Sequence, residues 1–254
     1  MAVPEGTLEA HLITREDGPA DGYLPVWFAL KNGIARQADL AALDALAEPY
    51  PRAHDDDAAF YATPRPVDHL DATALQVWQE FSGRFVRDDM RVLDLMASMN
   101  SHLPSPCHAR INGLGMNAEE LAGNPLLDTR IVHDLNLDPQ LPCPDHQFDL
   151  VLCALSIEYL TRPEAVLRDV RRCLLPGGLC VISFSERWFP PKAVQPWASL
   201  PPFARLAWVL RHLQRSGFRD LQVESLRGLP RAADDRYIRQ TPQADPLYAV
   251  GGRA

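Results

Sequence analysis

The sequence lacks most of the features that mark the large specialised protein classes. Its five cysteines, Cys107, Cys143, Cys153, Cys173 and Cys180, form no Cys-x-x-Cys pair and are odd in number. This argues against a disulfide framework or a thiolate metal site, and for small buried hydrophobes in a reducing compartment. No apolar run approaches the roughly 18–20 residues that cross a bilayer, and the N-terminal stretch MAVPEGTLEAHLITREDG has neither a basic start nor an apolar core. No membrane span is expected, and the location expected is cytoplasmic. With 25 Lys+Arg against 33 Asp+Glu, a net charge of −8 and no basic run, nucleic acid is not an expected partner. A Gly-x-Gly-x-x-Gly motif is also missing, which argues against a dinucleotide-dependent oxidoreductase.

What remains is an ordinary globular composition, 46% apolar and 23% charged over 254 residues, enough for one larger domain with attachments. Residues 1–60 read as an N-terminal appendage rich in proline, with a short amphipathic helix over Arg36–Glu48 (Leu40, Leu43 and Leu46 at helical spacing) and the acidic cluster Asp55-Asp56-Asp57 at its end. Residues 61–254 read as the main domain. Helical periodicity over ATALQVWQEFSGRF gives way to strand patterns in RVLDLM, RINGLGMN and TRIVHDLN, then to the continuous apolar run FDLVLCALS. The helix RPEAVLRDVRRCLL is stopped by Pro-Gly-Gly before the strand LCVISFSE. A further helix, FARLAWVLRHLQRSGF, precedes the closing strands LQVESLR and PLYAVGGR. Strands alternating with helices predict an α/β fold with a mostly parallel seven-stranded sheet between two helical layers and an antiparallel last strand.

In such sheets ligands bind at the carboxyl ends of the strands. The residues there are Asp94, then Gly115-Met116-Asn117, then Asp134-Leu135-Asn136, then Ser156 and Ser185. The segment from Leu141-Pro142 through Phe148-Asp149 to Leu175-Pro176-Gly177-Gly178 resembles the second half of a class I S-adenosylmethionine-dependent methyltransferase of the type 11 kind, and the likeness spans about residues 91 to 185. The resemblance implies a Rossmann-like fold, a methyl-transfer activity, S-adenosylmethionine as cofactor, no metal, and a small-molecule acceptor. It assigns Asp94 to the methionine amino group, Asp134 and the Leu135 backbone to adenine, and Leu155 and Ser156 to the methionine moiety and the acceptor. Two positions depart from the pattern. The glycines expected after Asp94 fall on Met96, Ser98 and Asn100, and the acidic ribose ligand falls on Gly115, which opens space that an acid would fill. Met116 backbone or Asn117 would then stand in for it.

Each residue also has a plainer reading. Asp94 is equally a strand-end cap, Asp134 a turn residue, Ser98 and Ser101 helix caps, and Met96 a packing residue. His102 is a candidate base or a structural histidine. Tyr159 and Glu158, after the fourth strand, are placed to line the acceptor site, and the face of Tyr159 or Trp188 suits a sulfonium. By analogy with related enzymes, Phe60–Asp71 folds over the cofactor, with Tyr61 and Arg65 reaching the methionine carboxylate and His69 and Asp68 near the acceptor. Arg187, Trp188 and Lys192, after the fifth strand, either bind an anionic acceptor or pack that segment. Methyl transfer asks mainly for in-line placement and exclusion of water. The rival expectation is a protein of this fold that binds without turning over, as the two departures suggest.

Overall fold

The computed structural model describes residues 47–254, so the predicted helix at 36–48 lies almost wholly outside the described residues. Seven strands run in the order β3-β2-β1-β4-β5-β7-β6: β1 (Arg91–Leu95), β2 (Arg110–Gly115), β3 (Thr129–Val132), β4 (Phe148–Ala154), β5 (Leu174–Ser185), β6 (Arg219–Leu226) and β7 (Leu247–Arg253). The first five pair in parallel, and β7 inserts antiparallel between β5 and β6. This is the expected fold class, a Rossmann-like sheet with an antiparallel last strand. One boundary differs from expectation. Leu174 already pairs with Phe148, and pairing resumes at Leu150–Leu179 after a register shift, so Pro-Gly-Gly is an irregularity inside β5 and does not precede it.

Alternation along the strands builds two cores. Leu93, Leu95, Val151, Cys153, Cys180 and Ile182 face α4 (Pro163–Cys173) and α6 (Pro202–Arg215), whereas Val92, Ile111, Leu150, Leu152 and Val181 face α2 (Ala72–Ser82). Helix α2 starts where Asp71 accepts hydrogen bonds from the Thr73 and Ala74 amides, and it buries Ala74, Val77, Trp78 and Phe81 at helical spacing. Helix α4 starts on Pro163 and buries Val166, Leu167, Val170 and Cys173. Four of the five thiols are buried, as small apolar side chains would be.

Three short helices complete the description: α1 (Asp57–Tyr61), α3 (Ala118–Gly123) and α5 (Gln195–Ser199). The segment before α1 is sewn onto the main sheet. The Tyr50 amide donates to the Thr161 carbonyl (2.7 Å), its ring packs 5.7 Å from that of Trp208, and Arg52 forms an antiparallel bridge with Val194.

Candidate functional site

Strand order reverses between β1 and β4, so the loops leaving their carboxyl ends diverge and open a crevice. Its empty space, counted together with the solvent at its open mouth, is about 760 Å³. The loop after β1 forms one wall. Met96 takes φ +62°, the left-handed conformation that glycine adopts freely and other residues reach at about 1–2 kcal/mol. Ala97 then donates its amide to the Leu114 carbonyl (2.7 Å), laying the loop across the end of β2. A Cβ on Gly115 would stand 2.2 Å from the Ala97 carbonyl oxygen. The space expected for an acid at Gly115 therefore does not exist: the loop fills it, and only glycine admits the loop. Asn124 completes the anchoring, donating to the Ser98 carbonyl and to Ser101 Oγ, each at 2.9 Å.

Asp94 lies beneath this loop and not in the crevice lining. Its side chain shares the Val92 face and is 5% exposed. Burial pushes its carboxyl up to about 7, with the Ser101 hydroxyl pulling the other way, and Oδ2 has no hydrogen-bond partner among the described residues. His102 is also buried outside the lining, and burial lowers its pKa.

The strap between α1 and α2 crosses the crevice and brings Tyr61, Arg65 and His69 into its wall. It is fastened by α3. Asn117 caps that helix through Oδ1, while its Nδ2 donates to the Tyr61 carbonyl (2.8 Å). Glu120 accepts from the Arg65 amide through Oε1 (2.7 Å) and from Ser98 Oγ through Oε2 (2.8 Å). The Arg65 guanidinium lies 4.1 Å over the Phe60 ring and donates to the Phe60 carbonyl, leaving Nε buried and unpartnered among the described residues. Burial lowers the pKa of His69, the Asp68 carboxylate opposing it, so the ring is neutral at pH 7.

Opposite the strap, Asp134 and Leu135 line the crevice beyond β3. Asp134 uses Oδ1 to hold the turn, accepting from the Asn136 (2.9 Å) and Leu137 (3.2 Å) amides, while Oδ2 takes no hydrogen bond among the described residues. Beyond β4, Ser156 and Tyr159 line the crevice, but the Tyr159 hydroxyl accepts the Phe189 amide (2.9 Å) and burial holds its pKa far above neutrality. Leu155 packs into the α2-side core. Glu158 is fully buried, both carboxylate oxygens lack hydrogen-bond partners among the described residues, and burial pushes its pKa up to about 8.

Neither Arg187, Trp188 nor Lys192 reaches the lining. Arg187 pairs with Asp245 (2.9 Å), Trp188 lies under the Arg205 guanidinium (4.2 Å), and Lys192 is fully buried against Asp57 and the His54 carbonyl. Asp57 is a crevice residue that the sequence reading left in the appendage. It also accepts from Arg52 (2.7 Å) and from Asn136 Nδ2 (2.8 Å). Phe189 and Glu120 line the crevice too and were not anticipated. Asn117-x-x-Glu120 reads as a capping box, so its sequence signal pointed to a helix start, yet the carboxylate turns away to Arg65 and Ser98.

Residues 110–182 match the family described as a methyltransferase domain. The ubiquinone/menaquinone biosynthesis C-methyltransferase UbiE of Laribacter hongkongensis is 32% identical over 132 residues, 47% of this chain and 54% of that protein. The UbiE of Paraburkholderia xenovorans is 34% identical over 93 residues, 36% of this chain and 37% of that protein. The chain thus matches about half the length, or less, of these relatives. Among solved structures, the [4+2]-cyclase SpnF superposes with a TM-score of 0.52 at 14% identity, covering 84% of this chain and 90% of that one, a likeness of fold. The described domain has the class I methyltransferase fold, and its central segment carries that family's sequence.

Proposed function

We propose that this protein is an S-adenosylmethionine-dependent methyltransferase acting on a small, flat, ring-bearing acceptor. The observation that carries the reading is a crevice at the strand carboxyl ends whose wall holds Arg65, its buried guanidinium Nε unpartnered among the described residues, opposite the Asp134 carboxylate beyond β3. An α-carboxylate is the group that would satisfy Arg65, so the crevice wall fits the methionine end of the cofactor. Asp134 Oδ2 and the Leu135 backbone suit the adenine edge, and the Met96–Ser98 loop, Met116 and Ser156 border the space between.

When bound, the cofactor supplies a methyl group on a positively charged sulfur. The protein's part is to orient and to exclude water. Phe189 stands 5.7 Å from His69 and 6.0 Å from Tyr159, giving aromatic walls for a planar acceptor. His69, neutral in its buried setting, is suited to take a proton from a ring hydroxyl or carbon acid. The names of the UbiE relatives agree with a ring acceptor and with transfer to carbon.

Calorimetric titration tests the reading. S-adenosylhomocysteine is expected to bind and NADH not to, and Asp134→Ala is expected to weaken the binding by about tenfold or more. Absence of S-adenosylhomocysteine binding would overturn it. The closed position at Gly115 favours a second reading, binding without methyl transfer, and SpnF shows that this fold also serves a cyclase. Cofactor that binds and never donates its labelled methyl group to any ring acceptor would establish that second reading.

A further inference from the structure

The acid that this fold carries at the end of β2 is sterically excluded here, because a side chain on Gly115 would run into the Ala97 carbonyl oxygen at 2.2 Å. A nucleoside in this crevice still presents two ribose hydroxyls, and buried hydroxyls need acceptors. Among the described residues, three carboxylates line the crevice: Asp57, Glu120 and Asp134. Asp57 is taken by Arg52, Lys192 and Asn136. Asp134 follows β3, the strand paired with β2, and is assigned above to the adenine edge. Glu120 stands in the first turn of the helix that follows β2, and it is only 8% exposed.

Glu120 is also held unusually firmly for a carboxylate at the third position of a helix. The amide of Arg65 fixes Oε1 and the Ser98 hydroxyl fixes Oε2, one bond to each oxygen. A carboxylate offers about four acceptor sites, so two remain for a ligand. From this we infer that Glu120 is the ribose-binding residue of this chain: the acid has moved five residues along, from the end of β2 into α3, and the Met96–Ser98 loop has moved onto the vacated strand end. The change of loop composition and the change of acid are then one rearrangement. Met96 and Ala97 close the old position, and Ser98 steadies the new one.

The inference rests on the cofactor reading above, and its test separates the two. Affinities of S-adenosylhomocysteine and of its 2′-deoxy and 3′-deoxy analogues are measured by calorimetry on the unaltered protein and on Glu120→Gln. The unaltered protein is expected to lose about tenfold or more in affinity when a hydroxyl held by the carboxylate is removed. Glu120→Gln is expected to bind the parent ligand about tenfold more weakly and to lose most of that discrimination. Melting temperature reports whether the variant folds, and Glu120→Asp, which keeps the charge but withdraws it by one methylene, gives the same ratio if the glutamine variant does not. Discrimination unchanged in the variant that folds would overturn the assignment alone. Failure of the unaltered protein to bind S-adenosylhomocysteine would overturn the cofactor reading and this assignment with it.

Discussion

Asp94 shows how burial can turn a strand-end carboxylate into a conditional charge. Its pKa, ordinarily 3.8, is pushed up to about 7, so the folded state holds the proton more tightly than the unfolded chain does. The sign follows: both states are protonated well below pH 4, and stability is lost as the pH rises through the interval between the two values. Asp94→Asn removes that loss. Its melting temperature relative to the unaltered protein is expected to rise between pH 4 and pH 7 and then level off, and parallel curves would refute the assignment. Glu158, raised to about 8 by the same cause, is present in both proteins, so the difference isolates Asp94. The carboxylate itself was legible in the sequence, because the apolar strand around it marks its place. Its depth was not, since that depends on Ser101 and the loop folding over it.

At the scale of elements, the contact between the β1 loop and the end of β2 governs the site. Gly115→Ala is expected to destabilise the protein by about 1–3 kcal/mol in urea titration, because the new methyl group must displace backbone and not a flexible side chain. An unchanged midpoint would show that the loop yields at no cost. The sequence revealed that a glycine had replaced an acid at this place, but it suggested open space. The structure reversed that, because what fills a glycine's missing side chain is set by a segment almost twenty residues earlier in the chain. The strap has the same lesson. Tyr61, Arg65 and His69 were expected there by analogy with related enzymes, whereas the fastening of their segment by Asn117 and Glu120 is a contact between elements that no local pattern encodes.

For the whole molecule, the cluster of Asp57 with Arg52 and Lys192 joins the N-terminal segment, the crevice and the segment after β5 around one carboxylate. The three side chains are 2%, 3% and 0% exposed, so removing the anion leaves two buried cations. Asp57→Ala is expected to cost about 3–5 kcal/mol in chemical denaturation, and Asp57→Asn combined with Lys192→Met to recover part of it. A loss below about 1 kcal/mol would mean that water reaches both cations. In the sequence, Asp55-Asp56-Asp57 looked like a solvated boundary and Lys192 like a ligand for an anionic acceptor. Charge alone does not say which partner is close, and here each is the other's partner.

The sequence by itself determined the element order, the parallel sheet with its antiparallel closing strand, and most of the residues at the strand ends. These follow from periodicities of two and 3.6 residues and from glycine and proline punctuation, all of which act within a few residues. Only the tertiary structure decided which of those residues reach the crevice, which acid stands on the β2 side, and which charges are spent on one another. Such facts depend on the approach of distant segments to within hydrogen-bonding distance, where burial and steric contact select among groups that look equivalent along the chain.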